Sequence, residues 1–304
     1  MIRPLALTTI TTARMSEVPA AAGAPLVVIA AGGAVPFEVA SAAVATGRKV
    51  LVVALEGEFD ARLQSFPLVV VKWGQIGRVK QLIAQHGARE IVFIGSVSAR
   101  PDFSNIGLDL GTLRLMPRIL KGMIGGDDTV LGNLVKIFEE DGPRVIGAHE
   151  VAPNLVAAPG PVAGRRPPAA ALADAALALD AAKAIGALDI GQAAVAVNGR
   201  VIALEAAEGT DAMLERVEQV RAKGRAKWSG RAGVLAKRAK PQQDLRIDMP
   251  AIGPRTIEAV VRAGLAGIAI EAGRVMVAER AETVALAERT GTFIFADDRM
   301  VGSA

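Results

Sequence analysis

The sequence of 304 residues contains no cysteine, no tyrosine and only two histidines, His86 and His149. The absence of cysteine excludes disulfide bonds, thiolate metal ligands and cysteine nucleophiles, and it fits a reducing compartment. His86 stands directly before Gly87 at the end of a helical pattern, so we expect it to end a helix. The scarcity of histidine argues against a histidine-rich metal site or a Ser-His-Asp triad. Only His149 remains as a candidate acid, base or ligand.

Aromatic residues are also scarce, at 3% of the chain, whereas hydrophobic residues make up 51%. The core must therefore consist mainly of Ala, Val, Leu and Ile, a composition that favours helices packed closely on a sheet. No apolar run reaches the roughly 20 residues that a membrane-spanning helix needs. The length predicts two domains of ordinary size.

The first half of the chain alternates between predicted strands and helices. An apolar run over 26–30 indicates a buried parallel strand, and a helical pattern over 36–46 follows it. Between them, Gly32 and Gly33 either let backbone N–H groups approach a phosphate or merely form a tight turn. Further strands are predicted over 49–55, 68–71 and 90–94, with a helix over 76–86. This order predicts a Rossmann-like layer, in which ligands bind beyond the carboxyl ends of the strands.

The segment 157–168 is the best candidate for a domain boundary, because four prolines and two glycines in twelve residues suit neither a helix nor a strand. We expect a Rossmann-like N-terminal domain over 25–156, a linker over 157–168 and a separate α/β domain over 169–304. A ligand cleft is expected between the two domains. We expect residues 1–24 to form a disordered extension or to reflect an upstream start, with Met15 as the alternative start. In the second half, Asn198-Gly199 between two apolar runs predicts a β-hairpin with a type I′ turn.

The most informative polar segment covers residues 240–256. It places Asp244 and Asp248 among the cations Lys240, Arg246 and Arg255, and its prolines prevent one regular element from spanning it. Carboxylates and cations together on such a loop suit a metal and a phosphate bound side by side. The alternative is a solvated surface loop.

Three shorter segments carry further candidates. Thr210 and Asp211 begin a predicted helix, where either side chain would cap the helix or Asp211 would hold a metal or its water. Gln192 stands at the start of a predicted strand, which is unusual for a buried amide without a partner. Arg100, in the loop after a predicted strand, would either clamp an anion or turn the chain.

The positive charge is concentrated between residues 216 and 246, where ten Lys or Arg face only Glu218 and Asp244. Such a region suits an anionic membrane surface or a phosphorylated ligand, or it is simply a solvated helix face. Nucleic acid is not expected as a partner, because Trp228 is the only aromatic residue there for base stacking.

These segments together resemble one family. The stretches that carry the resemblance are GGAVP, GSVSARPDF, GGDDTVL, GAHEV, LDIGQAAV, EGTDAML, LAKRAKPQQDLRIDMPAIG and GLAGIAIEAGRV, in that order. They resemble the LpxI-type UDP-2,3-diacylglucosamine pyrophosphatases of lipid A biosynthesis, over roughly residues 25–296.

The resemblance implies a Rossmann-like N-terminal domain, a distinct C-terminal α/β domain and a lipid held between them. It also implies Mg²⁺-dependent hydrolysis of UDP-2,3-diacylglucosamine by attack at the sugar-side phosphorus, which yields UMP and 2,3-diacylglucosamine 1-phosphate. The aspartate of the family's RxDxPxIG motif is required for activity and corresponds to Asp248. With Asp211, it is the expected metal ligand.

The site that we expect from these combined observations contains three catalytic and seven substrate-binding residues. The catalytic residues are Asp248, Asp211 and Lys240, and the substrate-binding residues are Gly32, Gly33, Arg100, Gln192, Thr210, Lys237 and Arg246. Lys237, Lys240 and Arg246 would stabilise the charge that develops on the phosphates.

We expect a cytoplasmic homodimer that lies on the anionic inner surface of the inner membrane. Two alternatives remain open on the sequence alone. One is another nucleotide-sugar enzyme, such as an epimerase, which would retain NAD. The other is a regulatory module that binds a nucleotide or lipid without turnover.

Overall fold

The computed structural model describes residues 23–97, 107–122 and 127–298. The first half forms a five-stranded parallel sheet in the order β3-β2-β1-β4-β5. Its strands are β1 (Leu26–Ala30), β2 (Val50–Leu55), β3 (Leu68–Val71), β4 (Glu90–Ile94) and β5 (Arg144–Val145). This order reverses direction between β1 and β4, as in the Rossmann-like layer that the sequence predicts.

Helices cover this sheet. They are α1 (Val35–Ala45), α2 (Ile76–His86), α3 (Leu110–Gly122), α4 (Asp127–Glu139) and the single turn α5 (Ala148–Val151). α2 ends as expected from the sequence, because Gly87 follows His86 in the left-handed conformation with φ of 67°. The central strands β1 and β2 are almost wholly buried, which explains why they read as continuous apolar runs rather than as alternating patterns.

The second half forms a mixed six-stranded sheet in the order β6-β13-β11-β9-β7-β8. Its strands are β6 (Gly160–Ala163), β7 (Ala193–Val197), β8 (Arg200–Leu204), β9 (Val234–Lys237), β11 (Gly267–Glu271) and β13 (Phe293–Asp297). The helices of this half are α6 (Ala169–Ala187), α7 (Gly209–Ala222), α8 (Pro254–Arg262) and α9 (Arg280–Thr290). A small parallel pair, β10 (Ala251–Ile252) with β12 (Met276–Val277), lies outside the main sheet.

The predicted hairpin is present between β7 and β8. Asn198 and Gly199 both have positive φ, 51° and 76°, as a type I′ turn requires. Asp174 on α6 accepts hydrogen bonds from the amides of both turn residues, at 2.9 and 2.7 Å. The buried carboxylate of Asp174 thus ties the hairpin turn to the helix that covers the sheet.

The expectation that all of 157–168 is a linker is wrong for residues 160–163. These residues form β6, which pairs antiparallel with β13 at the edge of the second sheet. Phe295 lies opposite Pro161, and the register shifts between Ile294 and Phe295. An edge position at an irregularity is where a strand tolerates a proline, because one side of its backbone needs no sheet partner.

The two halves pack directly against each other. Met276 of β12 is buried in the core of the first half, and it bridges to Val156. The backbone amide of Glu279 donates a 2.6 Å hydrogen bond to the carboxylate of Glu38 on α1. These contacts place the carboxyl ends of β1 and β4 beside the loop that precedes β10.

Two of the predictions concern, in part or in full, residues outside the described ranges. Residues 1–22 of the predicted extension lie outside the described residues. Arg100 also lies outside them. Of the helices described above, none combines the length and the apolar character needed to cross a membrane.

Candidate active site

A cleft of about 950 Å³ opens between the two halves. It lies beyond the carboxyl ends of β1 and β4, where the strand order of the first sheet reverses, which is the usual ligand position in open α/β sheets. Seven of the residues expected at the site line it: Gly32, Gly33, Gln192, Thr210, Asp211, Lys237 and Asp248. The cleft that the sequence predicts between its two halves is therefore present.

The glycine turn forms the wall from the first half. Gly32 exchanges two backbone hydrogen bonds with Ser96, at 2.8 and 2.9 Å. A Cβ atom at Gly32 would lie 2.8 Å from the Ser96 carbonyl oxygen, so no larger residue fits. Because the Gly32 amide already has a partner, it is not available to a phosphate. The turn instead brings Gly33, with φ of 92°, and the first turn of α1 to the cleft.

The opposite wall comes from three segments of the second sheet and its helices. Lys237 ends β9 and pairs in register with Ala193, so that Gln192 lies beside it at the start of β7. Thr210 and Asp211 lie in the first turn of α7. The alternative in which Thr210 or Asp211 caps this helix is wrong, because the N-cap residue is Glu208 and the helix has no side-chain capping hydrogen bond.

A hydrogen-bonded chain links these segments through Glu205, a residue that we did not predict. The Thr210 hydroxyl donates to Glu205 Oε1 at 2.7 Å, and the backbone N–H of Gln192 donates to Glu205 Oε2 at 3.0 Å. Lys237 Nζ donates to Thr210 Oγ1 at 3.0 Å. The sequence contained one signal of this role, namely a carboxylate directly after the apolar strand β8.

Two groups in the cleft are electrostatically unusual. Burial lowers the pKa of Lys237, and the negative charges of Glu205, Asp211 and Asp248 act in the opposite direction. The Gln192 Oε1 atom is buried and has no hydrogen-bond partner among the described residues. A cation and a free acceptor in one polar cleft suit a ligand that carries both an anion and a cation.

Asp248 reaches the cleft from the polar loop that the sequence singled out. Its backbone amide donates to the Asp244 carbonyl at 3.0 Å, which closes a turn of the loop. Gln243 Nε2 donates to Asp248 Oδ2 at 2.5 Å and so orients the carboxylate. Asp244 lies outside the cleft lining, and its hydrogen bonds to Arg246 lower its pKa.

Lys240 and Arg246, both expected at the site, are not among the residues that line the cleft. Lys240 Nζ lies 2.5 Å from Asp189 Oδ1. Arg246 pairs with Asp244 at 2.7 Å and with Glu139 at 3.2 Å. Both cations are thus held by carboxylates elsewhere. His149 is likewise not among the lining residues, and burial lowers its pKa.

Most of the cationic side chains between 216 and 246 form hydrogen bonds or ion pairs with other residues of the protein. Seven of the ten have internal partners: Arg216, Arg221, Arg231, Lys237, Arg238, Lys240 and Arg246. Arg231, for example, donates to the Leu265 carbonyl and the Thr292 hydroxyl, both at 2.7 Å. Lys223, Arg225 and Lys227 are exposed.

The donor set of the cleft fits a hard divalent cation. Asp211, Asp248 and the unpartnered Gln192 oxygen are all oxygen donors that line it. Within the described parts of the chain, no three His, Asp or Glu side chains are grouped to hold a metal ion. Mg²⁺ commonly takes one or two carboxylates and fills its other positions with water and substrate phosphate, so Asp211 and Asp248 are the residues that would hold it.

The fold and the cleft together define a two-part α/β protein whose polar ligand site lies between a Rossmann-like sheet and a mixed sheet. Two family models cover nearly all of it: the LpxI N-terminal domain matches residues 25–155, and the LpxI C-terminal domain matches residues 158–295. The chain belongs to the LpxI family. It is 41% identical over 270 residues to the UDP-2,3-diacylglucosamine pyrophosphatase LpxI of Caulobacter vibrioides, which covers 89% of this chain and 96% of the relative.

Proposed function

We propose that this protein hydrolyses the pyrophosphate bond of UDP-2,3-diacylglucosamine and releases UMP and 2,3-diacylglucosamine 1-phosphate. The observation that carries the proposal is the meeting of Asp211, Lys237 and Asp248 in one cleft. This cleft occurs in a chain that shares 41% identity with a UDP-2,3-diacylglucosamine pyrophosphatase along nearly its whole length.

The residues of the cleft suit this reaction. Lys237 would bind the phosphate oxygens and stabilise the charge that develops on them. Water would attack the sugar-side phosphorus, the bond from that phosphorus to the bridging oxygen would break, and UMP would leave with the bridging oxygen. Asp248, whose carboxylate accepts a hydrogen bond from Gln243, would hold groups bound near the pyrophosphate.

We further propose Mg²⁺ as the cofactor, with Asp211 and Asp248 as protein ligands and Gln192 as a candidate third. A bound Mg²⁺ would supply neutralisation of the pyrophosphate charge. The support is the oxygen-only donor set and the buried, unpartnered Gln192 oxygen. This proposal does not need Cys or His ligands, which Mg²⁺ rarely uses.

The deciding experiment is to incubate the purified protein with UDP-2,3-diacylglucosamine and Mg²⁺ and to measure UMP. We expect UMP release that EDTA stops and that excess Mg²⁺ restores. A wild-type protein that binds the substrate but releases no UMP would instead indicate a binding module. Activity that is unchanged in EDTA would remove the Mg²⁺ proposal and leave the hydrolase proposal intact.

The membrane contact is a separate proposal. We propose that the protein lies on the cytoplasmic face of an anionic membrane through the exposed Lys223, Arg225 and Lys227, which would give it access to a lipid substrate. Sedimentation with phosphatidylglycerol vesicles should fall when these three residues are replaced by glutamine. Replacing the exposed Arg165 and Arg166 by glutamine is the matched control and should have little effect.

A homodimer is the expected assembly. The measurement is the molar mass in solution by light scattering, at protein concentrations from low to high micromolar. A monomeric mass across that range would contradict it.

A further inference from the structure

Glu205 is one of the few acidic side chains buried in the described protein, with a relative exposure of 6%. It lies one residue beyond β8 and is not among the residues that line the cleft. Both carboxylate oxygens are used: one accepts from the Thr210 hydroxyl and the other from the backbone N–H of Gln192. Burying a carboxylate costs desolvation free energy, so a buried carboxylate needs hydrogen bonds that offset this cost or a functional role.

The hydrogen-bond chain has a defined direction. A carboxylate only accepts, so the single hydroxyl proton of Thr210 must go to Glu205. The Thr210 oxygen is thereby left with its lone pairs facing other donors, and it accepts from Lys237 Nζ. The ammonium of Lys237 has three N–H groups, so two remain for a ligand in the cleft.

The backbone supports the same arrangement. A Cβ atom at Gly191 would lie 2.3 Å from the Glu205 carbonyl oxygen, so the start of β7 is pressed against the end of β8 at this point. The Glu205 amide donates to the Ala193 carbonyl at 2.9 Å. Glu205 is therefore held rigidly between two segments that both reach the cleft.

We propose that Glu205 is a positioning residue that acts through Thr210 to hold the Lys237 ammonium in the cleft, where it meets the pyrophosphate of the substrate. This inference rests on the proposed function and deepens it. It also changes the expected role of Thr210, whose hydroxyl proton is committed to Glu205. Thr210 orients Lys237 by accepting its hydrogen bond, and it does not donate its hydroxyl proton to a phosphate.

The competing account is that Glu205 only stabilises the fold. A matched control separates the two, because Asp174 is a buried carboxylate with 4% exposure that accepts from two backbone amides at the other end of the same hairpin. Asp174→Asn should lower Tm and leave turnover per folded molecule near the wild-type value. Glu205→Gln should lower turnover as well.

The test is a double-mutant cycle of Glu205→Gln and Thr210→Val, with kcat, KM and Tm measured for each variant. Each single variant should lose roughly 10- to 100-fold in kcat/KM, the size expected for a hydrogen bond to a charged group. In the Thr210→Val background, Glu205→Gln should lower kcat/KM by less than about 2-fold further, because the effects of residues that act through one hydrogen-bonded chain are not additive. The proposal is overturned if the losses in kcat/KM of the two single variants multiply in the double variant. It is also overturned if Glu205→Gln keeps the wild-type kcat/KM.

A second measurement keeps this outcome distinct from failure of the proposed function. Calorimetric titration with UDP reads the contact of Lys237 with a diphosphate without any turnover. The affinity for UDP should follow the same non-additive pattern across the four proteins. If wild type releases no UMP but this pattern holds, the hydrolase proposal fails and the positioning role of Glu205 stands. Unchanged or additive UDP affinities overturn the positioning role whatever the turnover.

Discussion

Lys237 Nζ and Thr210 Oγ1 are joined by a 3.0 Å hydrogen bond that connects the end of β9 to the first turn of α7. This contact closes one wall of the cleft and determines where its cation lies. Burial lowers the pKa of Lys237, and three carboxylates oppose that effect. Burial has the larger effect, so the net result is a lowered pKa for the Lys237 amine that lines the cleft where a diphosphate would bind.

Replacing Lys237 by methionine should reduce kcat/KM by roughly 100-fold or more, because a charge that stabilises a developing anion in a buried site contributes strongly to the rate. The measurement is UMP release under subsaturating substrate. Methionine keeps the length of the side chain, so the Tm of the variant reports whether the fold is intact. A variant with intact fold and full rate would remove Lys237 from the site.

The two aspartates of the polar loop should behave differently. Asp248→Asn should abolish most of the activity, since Asp248 lines the cleft and Gln243 orients it. Asp244→Asn is the matched control, because it changes a carboxylate four residues earlier that pairs with Arg246 outside the cleft lining. We expect it to retain near wild-type rates. Equal losses in both variants would contradict the assignment.

Gln192→Leu should separate stability from turnover. The Gln192 oxygen has no partner among the described residues, so leucine removes an unpaired buried acceptor that costs about 1–3 kcal/mol. We therefore expect an unchanged or higher Tm together with a fall in kcat/KM. Gln242→Leu is the control. The Gln242 side chain does not line the cleft, and its Nε2 donates a 3.2 Å hydrogen bond to the Gly186 carbonyl. It should lower Tm slightly and leave the rate unchanged.

Glu90 should make stability depend on acid pH. Burial would raise its pKa, but hydrogen bonds from Arg144 and Arg48 outweigh this and lower the pKa below its usual value of 4.5. The stabilisation is therefore complete above 4.5 and is lost as the pH falls through the lowered pKa. Urea unfolding should show Glu90→Gln about 1–3 kcal/mol less stable than wild type near neutral pH. The difference should shrink as the pH falls further below 4.5, and a constant difference would contradict the linkage.

Hydrolysis in ¹⁸O-labelled water should place the label in 2,3-diacylglucosamine 1-phosphate, because the proposed reaction has water attack the sugar-side phosphorus and leaves the bridging oxygen on UMP. Mass spectrometry of both products reads this directly. Label in UMP would show attack at the other phosphorus, and it would do so without affecting the assignment of the cleft.

Much of the local structure was predictable from the sequence. The strands over 68–71 and 90–94 and the helix over 76–86 have the predicted bounds, because apolar runs and terminal glycines act over a few residues. β5 and β6 were missed for a shared reason. Each is a short strand at the edge of its sheet, and its pairing partner is distant in the chain.

The candidate site was predictable in part. The glycine turn follows the apolar run over 26–30, whereas Asp211 stands at the start of a predicted helix and Asp248 in a loop rich in proline and charge. Lys240 and Arg246 were expected beside them because they are near in sequence. Their ion pairs with Asp189 and Glu139 span about 50 and 100 residues of chain, and no local pattern contains such information.

The sequence by itself determined the α/β class and the approximate order of its elements, because hydrophobic periodicity and turn residues act locally. Asp248 was chosen over Asp244 by the resemblance to the LpxI family and not by a local pattern. Only the tertiary structure decided which polar groups meet. Glu205, Thr210 and Lys237 come from three different segments, and only the packing of β7 against β8 and β9 brings their hydrogen-bonding atoms within reach. A hydrogen bond depends on positions within a few tenths of an ångström, which sequence spacing does not specify.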